Sequence, residues 1–413
     1  MKKTVLFTAI SVIIYCNFAC SKGDASTKEQ VEPAKSIELT TKQGEKVAAD
    51  NRFGLKMFKE VSGEPNTFFS PLSLNLALGM LYNGASGDTR VEMAEVLGMG
   101  EGMEEEEVNQ YYQKIAQALL HIDLLTQIGI ANSIWYRIGL PVKQPFIDTN
   151  KKYFDAEVQA LDFDKPNAAD IINTWCANKT KDRIKEIIDS PIDPDVMMYL
   201  INALYFKSKW QFEFDKKQTK QDDFTKAGNT KKKVNMMEQT TTLPYYANDY
   251  LQCVEMPYGN EAFSMVAILP ADDTDIDHLI EYLDDSSWQN VVSNLYPSKV
   301  WLKLPRFKIE CEIPLNEPVR NAGVEQIFRG GLFNISDTPL AVTNIKQKTF
   351  VEVNEEGTEA AAVTVIEIRQ STGLIIEYEP IPFFANRPFL YLIKEKSTGV
   401  ILFIGRMDEP MEG

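Results

Sequence analysis

Glu355-Glu356-Gly357-Thr358-Glu359-Ala360-Ala361-Ala362-Val363-Thr364-Val365-Ile366-Glu367-Ile368-Arg369-Gln370-Ser371 is the stretch on which the fold turns. After Gly357 every charge (Glu359, Glu367, Arg369) falls on an odd position, while Thr358, Ala360, Ala362, Thr364, Ile366 and Ile368 fill the even ones. Alternate side chains of a strand face opposite ways, so the segment can lie in a sheet with its even face buried and its charged face out. It nevertheless opens with Gly and a triple Ala, which hold a strand poorly by themselves. That combination suggests a switch. An ordinary amphipathic strand is the competing interpretation.

Working outward, 413 residues with 44% hydrophobic content can build one large core or two to three average ones. The balance of 43 basic to 59 acidic residues leaves −16, which argues against nucleic acid or an anionic membrane surface as the main partner.

Lys2 and Lys3 precede an apolar run from Val5 to Ala19, too short to span a bilayer and long enough for an export signal. The run ends at Ala19-Cys20, a small residue before cysteine as in bacterial lipoprotein signals, which makes Cys20 the candidate lipidation site. Cys16 is a poorer candidate, and Asn17 stands where an aliphatic residue is usual. Plain secretion is the alternative. The expected division is a signal peptide over 1–19, a lipidated, disordered tether over 20–44, rich in Ser, Lys, Thr, Glu and Gln, and one domain over 45–413. The expected location is exported, either anchored at the cell envelope through the lipid alone or secreted. Cys176, Cys253 and Cys311 are odd in number and widely spaced, so they read as buried free thiols with no disulfide framework and no metal set.

Helical periodicity predicts helices at Asp50–Glu60, Ser73–Leu81, Asn109–Leu125 and Ala168–Ile188, with Ser70-Pro71 as the cap and first turn of the second. Strands are predicted at Ile128–Tyr136, Met197–Lys207, Leu251–Pro257, Phe263–Leu269, Val300–Glu312, Phe350–Asn354, Phe389–Lys394 and Gly399–Arg406. The almost uncharged Met198–Phe206 implies a central strand covered on both faces. The class is α+β in a single domain.

Enzymatic chemistry is thin. The two histidines are His121, in a helical pattern, and His278, in the acidic Asp272–Asp277 region. Gly84-Ala85-Ser86-Gly87 misses the nucleophile-elbow spacing, and Asp273, Asp275 and Asp277 lack the glycine and terminal glutamate of a calcium loop. No catalytic site, cofactor or metal is expected.

Six stretches in order resemble one family. Phe69-Ser70-Pro71-Leu72-Ser73 with Gly84–Thr89, Asn173-Thr174-Trp175 with Thr180 and Ile184, Asn202–Lys207 with Trp210, Glu355–Ala361, Asn386–Leu390 and Leu402–Arg406 are similar to serpin motifs. The resemblance implies a metastable five-stranded main sheet, two smaller sheets, eight or nine helices and an exposed reactive loop over about 355–385. It implies irreversible inhibition of serine endopeptidases, with cysteine endopeptidases as a wider class: the loop is attacked, and its cut end inserts as a new central strand that traps the acyl-enzyme. Glu355, Glu356, Gly357, Thr358, Glu359, Ala360, Ala361 and Ala362 match the hinge, which carries neither a charge on its inserting face nor bulk; Val363 is the one mild departure.

Fourteen residues beyond the hinge glycine comes Ser371, so the implied reactive bond is Ser371–Thr372, suited to an elastase-like enzyme. Arg369, for a trypsin-like enzyme, and Leu374, for a chymotrypsin-like one, are alternatives, because Thr372–Ala385 is longer than usual. Ser70, Ser73, Asn202 and Gln347 correspond to the polar cluster where strands part, Gln347 standing where the family usually has His, and Trp210 to the aromatic at the entry point. A monomer is expected. The other classes kept open are a non-inhibitory member cut as a substrate and, more distantly, an exported hydrolase or solute-binding lipoprotein.

Overall fold

The computed structural model describes residues 33–63, 65–99, 102–358 and 379–411. Cys20, Glu359–Ala362, Arg369, Ser371, Thr372 and Leu374 lie outside the described residues. Among the described residues, chain order gives nine helices: α1 (Thr41–Val61), α2 (Pro71–Tyr82), α3 (Gly87–Val96), α4 (Glu105–His121), α5 (Gln144–Phe154), α6 (Ala168–Lys179), α7 (Ile276–Tyr282), α8 (Asp285–Asn294) and α9 (Asn316–Ala322). The strands are β1 (Phe68–Phe69), β2 (Gln127–Arg137), β3 (Glu157–Leu161), β4 (Met198–Lys209), β5 (Lys220–Thr225), β6 (Lys231–Ala247), β7 (Leu251–Pro257), β8 (Phe263–Pro270), β9 (Tyr296–Pro305), β10 (Phe307–Pro314), β11 (Lys346–Asn354), β12 (Gly357–Thr358), β13 (Ile381–Phe384), β14 (Phe389–Glu395) and β15 (Ile401–Met407).

Local chemistry explains several boundaries. Thr40 and Gln43 exchange side-chain and backbone hydrogen bonds in a capping box that starts α1. Ile37 and Leu39 already pack on the core, so ordered chain begins upstream of the expected boundary at 45. Ser70 caps α2, with Pro71 in its first turn. The predicted helix over Ala168–Ile188 stops instead at Lys179, because Lys181 and Asp182 take positive φ of 54° and 62°. The predicted strand over Val300–Glu312 is two strands, β9 and β10, in different sheets, broken at Pro305-Arg306.

Among the described residues the strands form two sheets, where one five-stranded and two smaller ones were expected. One has nine strands, in the order β1-β15-β14-β8-β7-β6-β9-β13 with β5 on β6; the other has six, in the order β10-β11-β12-β4-β2-β3. The six-stranded sheet carries the hinge, and its sixth member is the two-residue β12. A large apolar core joins the nine-stranded sheet to α1, α2 and α4. A separate one, with Trp135, Ile172, Trp175, Ile201 and Ala203, fastens α6 onto the six-stranded sheet.

Candidate functional site at the sheet opening

β4 and β11 are the two long strands nearest the middle of the six-stranded sheet, and β12 lies between them. Gly357 pairs with Asn354 and Lys209, and Thr358 with Val353 and Ser208, both antiparallel. Among the described residues no other pairing joins β4 to β11. The candidate hinge residues Gly357 and Thr358 thus form a two-residue strand inside the sheet. Gly357 has φ of +151°, and a Cβ there would lie 2.1 Å from the Ser208 carbonyl oxygen, so only glycine fits. The expected exposed loop over 355–385 is therefore too wide at both ends: Glu355–Thr358 belongs to the sheet and its turn, and Ile381–Phe384 is β13, paired in parallel with Val300–Lys303 of β9.

Thr358 faces inward, 2% exposed, and its hydroxyl lies 2.6 Å from that of Tyr258. Burial pushes the Tyr258 phenol up, so it stays neutral and able to donate. Tyr258 stacks on Trp210 with ring centroids 4.4 Å apart. Trp210 does more than pack: its indole N–H donates to the Asn354 carbonyl at 2.9 Å, and its backbone N–H to that of Glu356 at 2.9 Å. It holds both the end of β11 and the turn.

Glu355 is buried, although it precedes the glycine on the odd, charged register. Its carboxylate takes two hydrogen bonds of 2.8 Å from Arg306 Nε, a third from Arg306 Nη2, and one from the Thr219 hydroxyl. Its carbonyl accepts from the Phe214 N–H at 2.9 Å. Burial alone would raise the Glu355 pKa; the bonds from Arg306 and Thr219 outweigh it and hold the carboxyl below its usual range. Glu356 meets Lys216 at the surface, a pair that contributes little. Arg306, Thr219, Phe214 and Tyr258 were not foreseen.

The predicted polar cluster is only partly brought together. Gln347 makes a two-point bond to the backbone of Ser70, accepting from its N–H at 2.7 Å and donating to its carbonyl at 3.0 Å. The Ser70 hydroxyl donates to the Leu402 carbonyl at 2.7 Å and accepts from the Ser73 N–H at 3.2 Å. Ser73 thus joins through its backbone. Asn202 pairs instead with Asn132 of β2 at 2.7 Å, and its own amide oxygen is buried with no partner among the described residues.

The segment after α6 forms a strap over both halves of the sheet. Ile184, Ile187 and Ile188 pack with Ile201 and Ala203 of β4. Asn173 accepts from the N–H groups of Ile187 and Ile188 at 2.8 and 3.0 Å. On the other side Asp189 pairs with Lys346 of β11 at 3.1 Å, and Arg183 lies over the Phe350 ring at 4.8 Å.

Elsewhere, burial pushes the thiols of Cys176 and Cys253 up to about 12, so both are inert at neutral pH. Asp275 caps α7 through the His278 N–H, and Asp277 pairs with Arg406. His121 and His278 are both exposed, and neither belongs to the sheet opening.

Removing Gln347 leaves the buried Ser70 N–H unpaired. The variant Gln347→Ala should lose about 2 kcal/mol, measured by urea unfolding. With Gln at this position, opening of the sheet should be flat in rate from about pH 5.5 to 8. A step near pH 6.5 would require a different titrating group.

The family model described as serpin (serine protease inhibitor) matches residues 48–410, and the chain belongs to that family. Serpins in general inhibit serine proteases and are not enzymes, although some do not inhibit. Iripin-3 of Ixodes ricinus is 36% identical over 370 residues, covering 87% of this chain and 93% of the relative. An uncharacterized serpin-like protein of Thermococcus kodakarensis is 33% identical over 380 residues, covering 89% and 86%. The native structure of tengpin, a thermophilic serpin, is similar with a TM-score of 0.81 at 29% identity, over 92% of this chain and 97% of that one.

Proposed function

We propose that the chain is a suicide inhibitor of serine endopeptidases that acts by inserting its cut loop between β4 and β11. The observation that carries this is the seating of Gly357-Thr358 as the first rung of the missing strand. Ala360 and Ala362 follow on the inserting face, and Ile366 and Ile368 add bulk later, each worth roughly 1.5–3 kcal/mol when buried. Metastability then means that ladder hydrogen bonds and this burial are withheld until the loop is cut.

A small residue before the Ser371–Thr372 bond favours an elastase-like target; Arg369 and Leu374 offer secondary bonds to trypsin- and chymotrypsin-like enzymes. The test is to mix residues 33–413 with one protease of each kind and run gels in SDS, with mass spectrometry of the released C-terminal peptide. A complex stable in SDS, with release starting at Thr372, is the expected result. Cleavage without a complex for every protease would leave a serpin whose loop is only a substrate.

The N-terminal sequence supports export with a lipid on Cys20, which would place the inhibitor at an envelope surface. Cys20→Ala should move the protein from the membrane fraction to the soluble one. Wild-type protein that is already soluble would rule the anchor out.

A further inference from the structure

The end of β6 and the turn to β7 carry Tyr246, Asn248 and Tyr250, which meet Tyr282 of α7 and Asn290 of α8. Tyr250 is 53% exposed and yet fixed in place. Its ring stacks on that of Tyr282 with centroids 4.3 Å apart, its N–H donates to the Asn248 side chain at 2.9 Å, and its carbonyl accepts from the Ala271 N–H at 2.9 Å. The Asn248 amide oxygen also accepts from the Leu251 N–H at 3.0 Å, which turns its NH2 group toward the phenols. That group donates to Tyr246 at 3.4 Å and to Tyr282 at 3.3 Å, and Asn290 donates to Tyr246 at 3.0 Å. Asn290 is oriented in turn by Asn294, which donates to its amide oxygen at 3.0 Å. Both phenol oxygens are therefore acceptors here, and each keeps its own proton to donate to a partner outside the described residues.

We propose that this cluster is a binding platform for a neutral carbohydrate. Tyr250 offers a rigid aromatic surface to the C–H face of a sugar ring, and the Tyr246 and Tyr282 hydroxyls donate to its oxygens. Tyr beside Asn is also the composition of antibody paratopes, where stiff rings supply area and short polar side chains supply hydrogen bonds. Because the stack is already ordered, little entropy is lost on contact. Charge selects the class of glycan. Among the described residues no Lys or Arg side chain bonds to the cluster, while the exposed Asp249 and Glu281 stand beside Tyr250 and Tyr282 in a chain of net charge −16. A sulfated or uronic acid polymer would meet charges of its own sign, whereas a neutral one would not. The platform is also remote from the hinge. Asn235 of β6 accepts from the Arg306 N–H next to the hinge, and Tyr246 comes eleven residues later, about 35 Å of strand. Binding there holds the protein on a polysaccharide surface whether or not its loop traps a protease.

The test titrates the full chain with dextran, mannan, galactomannan and xyloglucan, and with heparin and polygalacturonate as charged counterparts, by calorimetry and affinity gels. At least one neutral polymer should bind with Kd of about 1 mM or tighter per site, and both charged ones about tenfold more weakly or worse. Tyr250→Ala should weaken that binding at least about tenfold, and Tyr282→Phe, which keeps the stack but removes a donor, about three- to tenfold. Tyr250→Phe keeps the aromatic face and should bind within about twofold of wild type. Thermal midpoints should be unchanged, and Tyr282→Phe carries the test if Tyr250→Ala misfolds. Failure of every neutral polymer to bind below about 10 mM overturns the proposal, as does tighter binding of heparin or polygalacturonate. Wild-type affinity in both Tyr250→Ala and Tyr282→Phe overturns it too, because the sugar would then sit elsewhere. So does a wild-type dimer that Tyr250→Ala converts to monomer, because the face would then belong to a second copy.

Discussion

On the proposed mechanism, Thr358→Arg should leave a loop that is cut at the wild-type rate as a substrate, while the SDS-stable complex all but disappears. Thr358 is 2% exposed between β4 and β11, with Tyr258 as its polar partner. No carboxylate lies among its hydrogen-bond partners, so a guanidinium there would be desolvated without compensation, at a cost of several kcal/mol. About 3 kcal/mol added to the insertion barrier slows it more than a hundredfold. The number of inhibitor molecules consumed per protease trapped should rise by that order, read by titration. Thr358→Ser keeps the hydroxyl and should trap normally. Wild-type trapping by Thr358→Arg would show that insertion does not begin at this residue.

The second large effect belongs to Arg306. Arg306→Ala leaves the buried Glu355 carboxylate with Thr219 alone, and such a broken pair costs about 3 kcal/mol, the low end because Arg306 is 38% exposed. The turn then opens about a hundredfold more often, and the amides of Trp210 and Phe214, which donate to Glu356 and Glu355, should exchange that much faster. Acid should reproduce this in the wild type. The Glu355 pKa is lowered in the folded state, so the pair's contribution is complete above the unfolded carboxyl value of about 4.3 and is lost as pH falls through the lower folded value. Protection of the two amides, corrected for intrinsic rates, should hold from pH 7 to about 5 and fall below 4. Unchanged protection in Arg306→Ala would mean that the turn is held by Trp210 alone.

How much of this was visible in the residues varies with the physics. The inward face of Thr358 was, because period-two parity survives without tertiary context. The burial of Glu355 was not: the parity argument began only after Gly357, and its partner Arg306 lies 49 positions away in what looked like a continuous strand. The proline before Arg306 was the available signal of a break. β6, with 17 residues, was missed altogether because Lys, Thr, Glu and Gln fill its outer face and its phase slips where Met236 and Met237 are both buried. The over-long helix after Ala168 came from Ile184, Ile187 and Ile188, whose helical spacing serves the strap instead. Asn202 shows the limit of transferring a role by similarity: it lies on β4 as expected, but bonds to β2.

The two-residue strand also bears on timing. Starting a new strand is the slow part of strand addition, because ends must meet before any contact repays the entropy. With β12 in place that search is over. What remains resembles zipping, and hairpins form in about 1–10 μs. On the proposed mechanism the delay is then set by the strap, whose Asp189–Lys346 pair and Arg183–Phe350 contact must let go before the sheet can fill. Trapping becomes a contest between two clocks, release of the strap and hydrolysis of the acyl-enzyme. A protease that deacylates slowly is caught even when its pocket fits poorly, and a fast one escapes even when it fits well.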